Sequence, residues 1–161
     1  MSGMRTQLSC PGVIAKPDRG RGIDEILADA RARLYRLGPE AAHLAHRRGA
    51  VLVDIRPAAQ RAANGEIPGA LIVERNVLEW RFDPRSDARL PIAGRYDLPV
   101  IVFCQEGYTS SLAAAALLDL GLHRATDIAG GFAAWRQAGL PAFGPADIYA
   151  YLDAAPPAPR A

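Results

Sequence analysis

The sequence predicts an α/β fold, a small parallel sheet with helices on both faces. Short apolar runs at 51–55, 70–73, 100–103 and 125–128 have strand length. The first and third are continuously apolar rather than alternating, which points to strands buried on both faces. Between the runs lie segments with apolar residues at helical spacing, and strands alternating with helices imply parallel pairing.

In chain order, residues 1–22 are rich in Gly, Pro and Arg without periodicity and read as a mobile leader in which Cys10 is an incidental thiol. Residues 23–34 place Ile23, Ile26, Leu27, Ala30 and Leu34 on one face, with Asp24, Glu25, Asp29, Arg31 and Arg33 outside. This makes 23–36 an accessory helix ahead of the main domain, 37–144. Pro39 and Glu40 suit the first turn of a second helix, which runs to about Arg48 and is closed by Gly49. After the 51–55 strand, Arg56-Pro57 turns the chain into a short helix over 57–63. Residues 64–69 form a Gly- and Pro-punctuated turn before the 70–73 strand. Asn76 is placed to cap a helix over 77–82, which Asp83-Pro84 ends. Residues 85–99 read as loop. A helix over 109–120, closed by Gly121, follows the third strand. Gly130-Gly131 turns the chain from the last strand into a helix over 132–138. Residues 145–161 thin into a Pro/Ala-rich tail, with at most a helical turn near 147–152.

The totals narrow the function. A chain of 161 residues, half of them hydrophobic, holds one domain with a real core. Nineteen basic against seventeen acidic residues argue for neither a nucleic-acid nor a membrane-surface partner. No run is long enough to span a bilayer, and the amino terminus lacks a signal-peptide core. The two cysteines, Cys10 and Cys104, are a poor disulfide pair. A reducing, cytoplasmic setting is expected. His43 and His46 share a helix face at a metal-binding spacing but lack a third ligand, so no metal or cofactor is expected. Trp80 and Trp135 are expected in or near the core.

The chemistry concentrates at Cys104. It opens the loop Cys104-Gln-Glu-Gly-Tyr-Thr109 between a strand carboxyl end and a helix amino terminus. In parallel α/β sheets that is where ligands bind. Backbone amides there lack regular partners and can converge on an anion. A positive backbone field favours thiolate, the nucleophilic form of cysteine. Gly107 suits a positive φ and close backbone approach. Gln105, Glu106, Gly107, Tyr108 and Thr109 form the candidate cradle. Ser110 and Ser111 read first as a helix cap and second as hydroxyl donors. Asp54 and Arg56, at another strand end, read as a structural pair more than as substrate ligands.

Four motifs in order resemble those of single-domain rhodaneses. Val53-Asp54-Ile55-Arg56 is similar to the family's Asp-x-Arg strand end. Glu66-Ile67-Pro68-Gly69-Ala70 is similar to its His-Ile-Pro-Gly-Ala turn, with Glu in place of His. Cys104 to Ser110 is similar to its active-site loop. Gly121, Gly130-Gly131-Phe132, Trp135 and Gly139-Leu-Pro141 are similar to its closing signature. The resemblance covers about residues 37–143 and implies a rhodanese-like fold. It also implies transfer of a sulfane sulfur through a Cys104 persulfide. The donor would be a small molecule such as thiosulfate, and the acceptor cyanide, a thiol or a carrier protein. Thr109 stands where many members carry Arg, so it offers a hydroxyl but no charge. Glu106 opposes a dianionic donor; Arg56, Arg75 and Arg81 are candidates to offset it, Arg75 foremost.

Three rivals follow. A non-catalytic or regulatory rhodanese-like module commonly lacks the cysteine. A persulfide carrier loaded by a protein donor would show low thiosulfate activity. A phosphatase would need an Arg in the loop, and none lies between Cys104 and Ser111.

Overall fold

A computed structural model describes residues 19–144. Cys10, most of the proposed leader, and the tail at 145–161 lie outside the described residues. Helices α1 (Ile23–Ala32) and α2 (Pro39–Arg47) precede strand β1 (Val51–Asp54) and helix α3 (Ala58–Asn64). Then come β2 (Leu71–Ile72), a 3-10 turn at Arg75–Val77, α4 (Leu78–Phe82) and β3 (Val100–Phe103). Helix α5 (Thr109–Asp119), β4 (Thr126–Asp127) and α6 (Gly131–Gln137) complete the fold.

The sheet is parallel throughout, in the order β2-β1-β3-β4. Each of β1 and β3 is buried along its whole length. Successive side chains on a strand point to opposite faces, so an uninterrupted apolar run feeds two cores. On one side Val51, Val53, Val100 and Val102 meet Phe82, Ala113, Leu117 and Leu122. On the other, Leu52, Ile101 and Phe103 meet Ala42, Ile128, Phe132 and Trp135.

Two bridges lengthen the sheet beyond what the hydrophobic pattern indicates. Leu37 pairs in parallel with Ile128, and Glu66 pairs antiparallel with Phe143. The first fixes the chain just before α2 against the end of β4. It therefore also fixes α1, which packs on α5.

Helix α1 is shorter than its apolar spacing suggests. Leu27 and Ala30 are buried against α5, Leu34 reaches the core from beyond the helix end, and Ile23 stays 62% exposed. Arg33 caps the helix and pairs with Asp119 of α5 at 2.6 Å. At the other end the Gly22 N–H donates to Glu25 at 2.9 Å. That bond, with Arg19, holds the Glu25 carboxyl below the usual carboxylate range. A depressed pKa stabilises this end above the ordinary glutamate pKa, and the contribution fades as pH falls through the lowered value.

Three local expectations are corrected. Asn76 caps no helix; it lies inside the 3-10 turn that leads into α4. Ser110 and Ser111 are not caps either, because their hydroxyls turn inward to a buried carboxylate. Trp80 is 61% exposed, whereas Trp135 is 1% exposed and donates its indole N–H to the Pro141 carbonyl at 2.9 Å. Both tryptophans lie on apolar-looking helices, but only Trp135 faces the sheet.

Trp135→Ala is expected to cost about 3–5 kcal/mol, and Trp80→Ala to stay within about 0.5 kcal/mol. Chemical denaturation of the two variants checks the contrast.

Candidate functional site: a cysteine loop at the end of the central strand

Cys104 follows β3 directly, between neighbouring strands that each end in an aspartate. Asp54 stands beside Phe103 on one side, and Asp127 beside Val102 on the other. The cysteine is free and keeps 6% of its surface exposed. The Gly107 N–H donates to its Sγ at 3.3 Å.

Four of the loop's carbonyls, those of Cys104, Gln105, Gly107 and Tyr108, are occupied on its other side. Phe132 N–H donates to Cys104 O and Ala133 N–H to Gln105 O, both at 2.9 Å. Ser111 N–H donates to Tyr108 O at 3.1 Å. Gly107 O accepts from Arg31 at 2.8 Å and from Arg36 at 2.9 Å. A trans peptide points its N–H opposite to its C=O. Anchoring these carbonyls therefore turns the N–H groups of Gln105, Glu106, Tyr108 and Thr109 away from α6 and the arginines. Those amides have no protein acceptor among the described residues. The result is a set of unpaired donors around an anchored loop, the arrangement that binds anions.

Two glycines make it possible. Gly107 sits at φ +83°, and a Cβ there would come within 2.7 Å of Gly130 N. Gly131, at φ +60°, opens α6 so close to the loop that a Cβ would lie 2.4 Å from Cys104 O. Both positions combine a backbone unfavourable for side chains with no room for one.

On the Asp54 side, Arg56 is fully buried and forked onto Asp54 at 2.9 and 2.7 Å. Its remaining donors go to Gln105 Oε1 at 2.9 Å and Gly65 O at 2.8 Å, and its cation lies 4.1 Å from the Phe132 ring centre. Arg56 therefore holds the second loop residue through its side chain. Glu66, in the family's His position, takes an ion pair from Arg61 at 3.2 Å.

On the Asp127 side, the sequence reading missed the principal group. Asp127 is completely buried and accepts from Arg36 at 2.8 and 3.0 Å and from both Ser110 and Ser111 at 2.8 Å. Charge-assisted and hydroxyl bonds together satisfy a carboxylate that burial alone would make costly. The available signal was an Asp closing a short strand, the same signal that marked Asp54.

Of the three cations named from sequence, Arg56 reaches the loop, through the Gln105 side chain, whereas Arg75, the favoured one, and Arg81 do not. Arg75 donates to both oxygens of Glu79, and Arg81 to Ala88 O; neither bonds to the loop. Arg31 and Arg36, from α1 and the segment after it, do so instead. Glu106, Tyr108 and Thr109 are exposed at the loop's rim. His43 packs edge-on against Trp135, and His46 faces Ala50 O. Among the described residues no cluster of ligating side chains could hold a metal.

Residues 39–138 match the model of the rhodanese-like domain family. The chain belongs to the rhodanese-like domain family. It is 37% identical over 102 residues to a thiosulfate sulfurtransferase GlpE of Stutzerimonas stutzeri, covering 63% of this chain and 84% of that protein. It is 33% identical over 102 residues to a sulfurtransferase of Allochromatium vinosum, covering 63% of this chain and 86% of that one. Among solved structures, a protein of unknown function from Rhodopseudomonas palustris, described as a possible tyrosine phosphatase, superimposes with a TM-score of 0.70 and 35% identity. The match covers 84% of this chain and all of that one. Helix α1 and Arg36 fall outside the span of the family match.

If the tight packing of Gly131 on the loop carries weight, Gly131→Ala should cost more stability than Gly139→Ala. Gly139 also has a positive φ, but its Cβ would meet nothing within 4 Å. The excess is expected to be at least about 1 kcal/mol, and urea unfolding of both variants measures it; equal losses would mean the close approach is free.

Proposed function

We infer that the protein is a rhodanese-type sulfurtransferase that works through Cys104. The observation that carries this reading is the amide of Gly107 on Sγ, beside neighbouring amides that have no acceptor among the described residues. In the first half-reaction the thiolate attacks the outer sulfur of thiosulfate. A bond forms between Sγ and that sulfur, the sulfur–sulfonate bond breaks, and sulfite leaves with the electron pair. The Cys104 persulfide carries the remaining negative charge, and the loop amides stabilise it as they would any anion. In the second half-reaction a nucleophile such as cyanide or a thiolate takes the terminal sulfur, and the Cys104 thiolate returns. No proton and no metal is needed for either exchange with anionic partners. Cysteine suits the role because a thiolate is both a strong nucleophile and a good leaving group.

Thiosulfate as donor is supported by the activity named for the GlpE relatives. The acceptor is a small thiophile or a carrier protein that can reach the exposed rim of Glu106, Tyr108 and Thr109. A reducing, cytoplasmic setting would keep the thiol free. Among the described residues no helix is long and apolar enough to cross a membrane. A phosphatase reading has one point in its favour, the name given to the Rhodopseudomonas protein. Against it, the loop has no arginine, and the guanidiniums of Arg31 and Arg36 are engaged with its carbonyl.

Mass spectrometry after thiosulfate treatment is expected to show one added sulfur atom mapped to Cys104, and none in Cys104→Ser. Sulfur transfer by that variant would remove Cys104 from the mechanism; turnover of an aryl phosphate by the wild type would favour the phosphatase. Glu106→Lys is expected to lower the KM for thiosulfate several-fold at low ionic strength. Because Glu106 is exposed, the gain should shrink as salt approaches 0.15 M, where the Debye length is about 8 Å. A salt-independent gain would place the carboxylate inside the site.

A further inference from the structure

We propose that Arg31 and Arg36, which lie ahead of the segment shared with the family, supply from behind the loop the positive charge that the loop sequence lacks. They do so by polarising the peptide group between Gly107 and Tyr108. This deepens the sulfurtransferase reading and rests on it.

Three observations converge. First, both guanidiniums donate to one acceptor, Gly107 O, at 2.8 and 2.9 Å. Second, each is fixed by further contacts. Arg36 is forked onto the buried Asp127; its own side chain is only 21% exposed. Arg31 donates to Ser111 Oγ at 3.2 Å and lies 5.5 Å from the Tyr108 ring centre. Third, the peptide group they grip spans the loop's end. Its oxygen belongs to Gly107, and its N–H belongs to Tyr108, which has no acceptor among the described residues.

Carbonyl oxygen and amide hydrogen of one peptide group share a delocalised system. Two cationic donors on the oxygen draw electron density toward it and make the Tyr108 N–H a stronger donor; chained hydrogen bonds strengthen each other in this way. The net field counts as well. Arg36 is neutralised by Asp127, whereas Arg31 has no carboxylate partner among the described residues. Arg31 is therefore the uncompensated charge, and Arg36 is the fixed member that holds the carbonyl in place. Neither touches the reacting sulfur. Both are positioning residues, and helix α1 is the element that completes the site.

The decisive change is Arg31→Gln, which removes the charge, keeps an N–H donor and leaves Asp127 paired. The readout is the rate of alkylation of Cys104 by iodoacetamide at fixed pH, mapped by peptide mass spectrometry. It requires no sulfur donor, so it stands even if thiosulfate is not the substrate. The rate is expected to fall by on the order of tenfold, less than the loss of a direct oxyanion donor. Arg31→Lys is expected to stay within about threefold of wild type. The rate constant of persulfide formation from thiosulfate should fall in parallel, with urea unfolding midpoints unchanged between the two variants. Equal alkylation rates in wild type and Arg31→Gln would overturn the proposal, as would an equal fall in Arg31→Lys. Failure of wild-type protein to take sulfur from thiosulfate, with the alkylation contrast intact, would overturn the donor assignment and leave the charge relay standing.

Discussion

The architecture of the site depends on holding a loop by its carbonyl oxygens. A peptide left to itself at the end of a parallel strand would expose donors and acceptors alike, and an anion would meet both. Here most of the acceptors are engaged on one side. The first turn of α6 takes Cys104 O and Gln105 O, and two arginines take Gly107 O. What remains facing the other way is mainly donor. On the proposed mechanism the cysteine sulfur is anionic as thiolate and again as persulfide, and such a surface holds both charges without any reorganisation of solvent.

The same constraint explains a symmetry in the sheet. Both strands that flank β3 end in a buried aspartate, Asp54 and Asp127. Each aspartate forks an arginine, Arg56 or Arg36. Each arginine then reaches a loop residue, the Gln105 side chain or the Gly107 carbonyl. Buried ion pairs add little net stability, because desolvation offsets most of their attraction. Their value here is directional: a guanidinium forked onto a fixed carboxylate can donate its remaining N–H groups only along set lines. The cysteine loop is thus suspended between two rigid posts.

Much of this was legible in residue order, and the reason is local. Two-sided burial shows itself as a continuous apolar run, so β1 and β3 could be placed by hydrophobicity alone. The cysteine, Gly107 and Gly130-Gly131 mark positions where backbone geometry excludes other residues, so they stand out individually. Asp127 and Arg36 did not. A buried carboxylate is defined by what surrounds it, and its partners come from 91 residues earlier in the chain and from the preceding helix, α5. Periodicity puts Arg31 on the solvated face of an amphipathic helix for the same reason. Helical periodicity separates apolar from polar faces, but it cannot say that a polar residue at the edge of the buried face looks across at a second element. Trp80 fails in the opposite sense, since an aromatic on a five-residue helix has no periodicity to report which way it points.

Placing positive charge behind the loop has a consequence for selectivity. An arginine within the loop would serve two purposes, stabilising the sulfur and lining the entrance. In this chain the two are separate. Arg31 and Arg36 grip the outward-turned carbonyl, while the rim carries a carboxylate, a phenol and a hydroxyl at Glu106, Tyr108 and Thr109. An approaching molecule meets that rim before it meets the sulfur. A small dianion is resisted by Glu106, whereas a neutral or cationic surface of a larger acceptor is not. On the proposed mechanism, stabilising a persulfide and choosing what collects its sulfur could therefore change independently, the first through α1 and the second through three exposed side chains.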